Sequence, residues 1–238
     1  MLFRSYRHQV PHQDLPAIVT TLLRDESGPI LDVGCGDGRY VRALLSDQPE
    51  RPVIGADLSA GMIGAAVAAT GCGGTVADAT MLPLRDDTVG AVMALHMLYH
   101  VPDPAAALAE FARVVRPSGT VLLSTNAWGD KAEMRELHAA AAAEMGAAVP
   151  DYGLSLRFHL DDAETAARRQ FAAVERIDLT SAVEVTTPEP VVAFIASSAA
   201  WFDRADGVLD AVHRRVEAAI ATAGVFRIRT HVGFLVCR

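Results

Sequence analysis

The stretch Pro29-Ile30-Leu31-Asp32-Val33-Gly34-Cys35-Gly36-Asp37-Gly38-Arg39-Tyr40-Val41 decides how this 238-residue chain is read. Ile30, Leu31 and Val33 make the short apolar run expected of a strand buried on both faces of a parallel sheet. Gly34, Gly36 and Gly38 remove Cβ atoms where the backbone must turn sharply and let a ligand come close. From Arg39 to Leu45 the spacing becomes helical, with Val41, Leu44 and Leu45 on one face. Backbone N–H groups at such a helix start favour negative charge. A glycine cluster alone says little, because loops hold glycine for ordinary reasons. Its place between strand and helix, and the residues downstream, carry the reading.

Further apolar runs follow at Val53–Asp57, Thr75–Asp78, Val89–Leu95 and Thr120–Ser124. Helices are predicted from Asp14 to about Arg24, from Ala60 to Ala69 after the cap Ser59, and from Ala105 to Val115 after Pro102-Asp103-Pro104. This alternation predicts a parallel sheet covered on both faces. After Ser124 the rhythm breaks. An alanine-rich helix lies within 129–150, Asp151-Tyr152-Gly153 links it onward, and Asp161 caps a helix through Gln170. A sixth strand is expected at Val174–Leu179, helices at Pro188–Phe202 and Asp206–Ala223, and a last strand near an edge at Phe226–Cys237. The expectation is one domain over 1–238. Residues 1–28 form an N-terminal lid and helix, 29–126 the ligand-binding half, 127–170 an inserted helical cap, and 171–238 the C-terminal strands and helices.

Hydrophobic residues are 51% of the chain, enough for a sizeable core, and charged residues are 21%. The formal net charge of −8 argues against nonspecific binding to nucleic acid or anionic membrane, since phosphates need a basic face. Cys35, Cys72 and Cys237 are an odd, sparse set without metal-ligand spacing, as in free thiols of a reducing compartment. Cys35 reads as a small turn residue rather than a reactive thiol. The first residues lack the apolar run of a signal peptide, and no run of about 18 uncharged apolar residues suggests a membrane span. The expected protein is cytoplasmic, a monomer or homodimer, with no metal and no membrane insertion.

Three carboxylates, Asp32, Asp57 and Asp78, sit at or near the C-terminal ends of successive predicted strands, where open α/β sheets bind ligands. Any one of them suits helix capping or loop solvation. Three beside one glycine turn point to a bound nucleoside. Asp57 lies 19 residues after Gly38, a spacing that suits hydrogen bonds from two ribose hydroxyls. Asp78 would lie near an adenine amino group, and Asp32 near an ammonium. A dinucleotide site wants Gly-x-Gly-x-x-Gly. Here Arg39 stands where the third glycine belongs, and no Gly-Lys-Ser/Thr triphosphate loop exists. An acidic rim suits a ligand bearing an amine and a sulfonium better than one bearing phosphates.

With these residues in place, the sequence resembles the class I S-adenosylmethionine-dependent methyltransferases, in particular the small-molecule group that includes the quinone methyltransferases. The resemblance rests on 30–38, Val53-Ile54-Gly55-Ala56-Asp57-Leu58-Ser59, Val76-Ala77-Asp78-Ala79-Thr80-Met81-Leu82-Pro83-Leu84 and 105–119, and covers about residues 28–126. It implies a doubly wound, Rossmann-like, seven-stranded α/β sheet of order 3-2-1-4-5-7-6, mostly parallel with strand seven antiparallel. It implies S-adenosylmethionine as cofactor. Gly34, Cys35 and Gly36 would lie at the methionine part, Asp32 near its amino end, Asp57 on the ribose, Leu58 and Met62 beside the adenine, and Asp78 and Ala79 on its edge. Leu95 and His96 would face the sulfonium.

Methyl transfer from a sulfonium is an in-line displacement that needs an aligned nucleophile and, where required, a proton acceptor. His96 and His100 follow the fourth strand and are the candidate bases. Tyr6, His8, His12 and His159 are candidates for a lid. Trp128, Met134, Met145, Tyr152 and Phe158 make either an apolar acceptor pocket or ordinary core. No Asn-Pro-Pro-Tyr motif of nucleic-acid amino methylation follows strand four. Two other classes stay open: a protein of this fold that binds the cofactor without transferring methyl, and a nicotinamide-dependent oxidoreductase, which Arg39 opposes.

Overall fold

The computed structural model describes residues 9–149, 152, 158–197, 202 and 207–238. In chain order the elements are β1 (Gln9–Val10), α1 (Leu15–Leu22), β2 (Ile30–Val33), α2 (Arg39–Asp47), β3 (Val53–Asp57), α3 (Ala60–Thr70), β4 (Gly73–Val76), β5 (Val89–Leu95), α4 (Pro104–Val114) and β6 (Val115–Asn126). There follow α5 (Ala132–Glu144), α6 (Leu160–Gln170), β7 (Val174–Val185), α7 (Glu189–Ser197), α8 (Val208–Ala223) and β8 (Phe226–Cys237). A single 3-10 turn, Leu98–His100, follows β5.

The strands pair in the order β1-β7-β8-β6-β5-β2-β3-β4. The sequence predicts seven strands; among the described residues the sheet has eight. The addition is β1, antiparallel to β7 through Gln9↔Val183 and Val10↔Ala182. Two residues are too few to leave a period-2 pattern. Ala173 and Arg238 exchange both backbone hydrogen bonds at 2.9 Å, the mark of an antiparallel pair, so β8 runs against β7.

The chain divides into two compact units. One comprises Asp14–Asn126, Phe158–Asp178 and Gly233–Arg238. Its centre is parallel: β2 pairs with β3 and β5, β3 with β4, and β5 with β6. Every residue of β2 and β5 is buried, as two-sided coverage demands. α1 packs on α2, α2 on α3, and α4 and β6 on α6. Asp14, Ser59 and Asp103 cap their helices by accepting the N–H of Ala17, Met62 and Ala106. The other unit holds the described residues of Met1–Gln13, Ala127–Arg157 and Leu179–Val232. There α5 and α7 pack on α8 around Met134, Val191, Ile195, Val208, Val212 and Val216.

Several boundaries differ from those the sequence predicts. α6 opens at His159, not Asp161, because His159 and Asp162 form a reciprocal capping box. β4 ends at Val76, so Asp78 lies in the turn beyond it. β6 opens at Val115, ahead of the predicted Thr120, with a bulge over Arg116–Gly119: Val89 pairs with Val115, and Ala91 with Thr120. β7 continues six residues past Leu179. Of the predicted linker, Asp151 and Gly153 lie outside the described residues. No helix among the described residues is long and apolar enough to cross a membrane.

Candidate functional site

The glycine turn joins β2 to α2 with left-handed backbone at Gly34, Gly36 and Gly38 (φ 72°, 54° and 79°). A Cβ on Gly34 would lie 2.7 Å from Met97 Cβ, and one on Gly38 3.2 Å from Ala66 Cα. A Cβ on Gly36 would meet nothing within 4 Å. Packing therefore requires the outer glycines, while Gly36 faces open space. The N–H groups of Gly34 and Cys35 donate to Ala56 O at 2.7 and 3.1 Å, which closes the turn against β3.

At the end of β3, Asp57 Oδ2 accepts the Gly36 N–H at 3.1 Å and Oδ1 accepts the Ser59 N–H at 2.9 Å. A carboxylate oxygen accepts about two hydrogen bonds, so each has capacity for a ligand hydroxyl. Asp32 is 2% exposed, and its Oδ2 is buried without a hydrogen-bond partner. Burial, and next the charge of Asp57, push its carboxyl well above the ordinary carboxylate range. A cation beside Asp32 would relieve both causes. The orphaned oxygen and the open face of Gly36 thus fit the amino-acid end of S-adenosylmethionine.

Cys35 is buried, and a Cβ on Gly55 would come within 2.9 Å of its Sγ. Burial, then Asp32 and Asp57, push its thiol up to about 12. It is a thiol, not a nucleophilic thiolate, at neutral pH. Asp78 is exposed, and its Oδ1 accepts the N–H and the hydroxyl of Thr80, both at 2.8 Å. Those bonds hold its carboxyl below the usual range. Ala79 beside it is buried. Leu58, Met62 and Met81 are exposed large apolar residues near these acids in sequence. Met81 is bridged to Asp78 through the backbone, a pairing the sequence reading missed.

That reading also gives no role to Glu110 and Arg113, although both lie in the stretch 105–119. Glu110 accepts the Leu82 N–H at 2.8 Å, and Arg113 donates to Leu82 O, Leu84 O and Asp86. α4 therefore anchors the loop that follows Asp78. The signal is an acid and an arginine one helical turn apart.

Leu95, the last residue of β5, is buried, and His96 just beyond it is left-handed (φ 55°), uncommon for a residue with a Cβ. The His96 N–H donates to Ser124 O at 2.8 Å, and its Nε2 lies 3.4 Å from Ser124 Oγ. His100 is exposed on the 3-10 turn, its ring centroid 4.5 Å from that of Tyr99. Tyr6 and His8 lie outside the described residues, His12 is exposed, and His159 caps α6. The five residues read as either an apolar pocket or ordinary core do not form one cluster. Met134 and Tyr152 belong to one core, Met145 lies against Gly207, Trp128 is exposed, and Phe158 belongs to the other compact unit. Among the described residues, no group of three or more His, Cys, Asp or Glu could hold a metal ion.

Residues 31–123 match a family described as "Methyltransferase domain". A ubiquinone biosynthesis O-methyltransferase of Methylococcus capsulatus is 38% identical over 101 residues, 40% of this chain and 42% of that protein. The chain spans less than half the length of the curated relatives it matches. A solved chain from Anabaena variabilis, assigned as a methyltransferase to an antibiotic biosynthesis pathway, superposes with a TM-score of 0.66 at 18% identity, covering 97% of this chain and 98% of that one. A Haemonchus contortus phosphoethanolamine N-methyltransferase, solved with phosphomonomethylethanolamine and S-adenosylhomocysteine, gives 0.55 at 17% identity over 93% of this chain and 51% of that one. These two share the fold. Residues 31–123 of the chain thus resemble the methyltransferase domains of the class I S-adenosylmethionine-dependent methyltransferases.

Proposed function

We propose that this chain transfers the methyl group of S-adenosylmethionine to a small-molecule acceptor with an O, N or C nucleophile. The observation that supports this most is the carboxylate of Asp57 tied to Gly36, the one glycine of the turn that fronts open space. When bound, S-adenosylmethionine supplies a methyl carbon activated by its sulfonium. Asp57 would accept the ribose hydroxyls, and Asp32 would balance the amino group. Leu58, Met62 and Met81 would flank the adenine, with Asp78 and Ala79 at its edge. Gly34, Cys35 and Gly36 line the methionine part, and Leu95 and His96 the sulfonium side. The acceptor's lone pair forms the new bond to carbon as the sulfur keeps the electrons of the broken one. Where that acceptor carries a proton, His100 or His96 takes it.

A net charge of −8 favours a small acceptor over nucleic acid. The quinone chemistry in the Methylococcus relative's name favours a partly apolar ring. We place the protein in the cytoplasm as a monomer or homodimer. The test is a metabolite mixture incubated with isotope-labelled methyl donor. A labelled product formed together with S-adenosylhomocysteine supports methyl transfer. Tight donor binding without turnover across the mixture would replace it with a non-methylating role. Thermal stabilisation by NAD in place of S-adenosylmethionine would indicate an oxidoreductase.

A further inference from the structure

Among the described residues β4 is the last strand of the sheet, so one flank of it meets no strand. Its residues are Gly73, Gly74, Thr75 and Val76. Thr75 lies opposite Ala56, and the Ala77 N–H donates to Asp57 O at 3.0 Å. Thr75 and Ala77 therefore turn their backbone polar groups toward β3, and Gly74 and Val76 turn theirs to the outer flank. Natural sheets protect such an edge with lysine, proline, a bulge or an inward charge. β4 has only its shortness. It lies within 58–77, the longest run of the chain without Asp, Glu, Lys or Arg, and fourteen of those twenty residues are exposed. Gly74 faces α3: a Cβ there would lie 2.7 Å from Val67 Cγ2 and 2.9 Å from Ile63 Cγ2. Val76, two residues on, projects from the same face. Val67 and Val76 are both exposed.

We infer that this edge docks a second copy of the chain, antiparallel, about a two-fold axis at Thr75. The inference is independent of the cofactor reading. The ladder is self-complementary. With Thr75 opposite Thr75, Gly74 of each copy faces Val76 of the other. Two hydrogen-bonded pairs form, each exchanging both of its N–H···O bonds. The side chains match as well. Val76 of one copy lies over the bare Cα of Gly74 and beside Val67 of the other, which takes exposed valines out of water. Charge favours the same occupant. Two chains of net charge −8 repel each other, so they meet most readily across an uncharged face. A strongly basic or acidic partner finds nothing there to pair with. The next acid in sequence, Asp78, lies beyond the end of β4. A standard interface uses about 20–30 residues a side, more than this face exposes, so the dimer is weak and concentration-dependent.

The test is sedimentation equilibrium of the full chain from roughly 10 μM to 1 mM, the range in which a weak dimer forms. The mean mass is expected to rise with concentration from 25.3 kDa toward twice that value. Val76→Lys puts a charge on the edge and is expected to weaken association at least about tenfold. Val67→Lys is expected to do the same, its stem covering Gly74 while the ammonium reaches water. Thermal unfolding at the lowest concentration checks that both variants are folded. Amide exchange locates the contact: the Gly74 and Val76 N–H groups are expected to slow as concentration rises, and that of Thr75 to stay as it is. The inference is overturned by a wild-type mass that stays at 25.3 kDa, which leaves the edge to a foreign partner or to none. It is equally overturned by assembly past the dimer, by either folded variant associating like the wild type, or by a dimer whose Gly74 and Val76 amides exchange at the monomer rate.

Discussion

Asp57 Oδ2 accepts the backbone N–H of Gly36 at 3.1 Å, so the carboxylate that ends β3 holds the turn that ends β2. One side chain thus shapes the loop and, in the proposed function, would face the ribose. Asp57→Ala removes the carboxylate proposed to accept two ribose hydroxyls and releases the Gly36 N–H. We expect S-adenosylmethionine affinity to fall roughly 30- to 1,000-fold, from about 2–4 kcal/mol. Asp57→Asn, which keeps one acceptor, should lose less. Calorimetry decides, and unchanged binding in the alanine variant would remove the cofactor assignment.

Asp32 gives a pH dependence whose sign is fixed by burial. Its carboxyl is raised in the fold, so it holds a proton more tightly there than in the unfolded chain. It therefore weakens the ligand-free fold above the unfolded value of about 3.9, increasingly so until its raised value is passed. Asp32→Asn should stabilise the free protein at neutral pH by about 2 kcal/mol, a few degrees of Tm. A cationic ligand favours the ionised form, so cofactor affinity should rise with pH through the raised value. That rise should vanish in Asp32→Asn, measured by calorimetry at several pH values.

The three glycines of the turn should separate fold from binding. Gly36→Ala carries only the left-handed penalty, about 1–2 kcal/mol, because its Cβ meets nothing. Gly34→Ala adds a 2.7 Å clash with Met97 Cβ and should cost about 3 kcal/mol or more. Urea unfolding measures both. Gly36→Ala should lose cofactor affinity more than tenfold while the chain stays folded, and equal loss of stability in the two variants would contradict the distinct roles.

Arg113 is expected to matter through the loop it holds. Arg113→Ala frees the carbonyls of Leu82 and Leu84 and should speed amide exchange over 79–86. The stability cost is about 1–2 kcal/mol. Arg113→Lys should rescue little, since an ammonium cannot span the fork of acceptors. Exchange confined to other regions would count against the loop role.

The parallel half of the sheet, which we propose holds the nucleoside, was legible because its apolar runs stop abruptly. Asp32, Asp57 and the glycines are marked by abrupt changes of residue type at strand ends. What escaped depends on partners distant in sequence. β1 exists because Val183 and Ala182 offer it a ladder, and His159 caps α6 only because Asp162 answers it. The expected strand ends at Leu179, yet β7 runs on through Thr180 and Ser181. Ser124 fixes His96 across two neighbouring strands, 28 positions apart, which no local spacing reveals.

Cys35 and Gly55 compete for the same space, since a Cβ on Gly55 would come within 2.9 Å of the thiol. The two positions are therefore free to drift only in concert. A lineage that enlarges residue 55 must first shrink residue 35, and the double change Cys35→Ala with Gly55→Ala opens a route that Gly55→Ala alone closes.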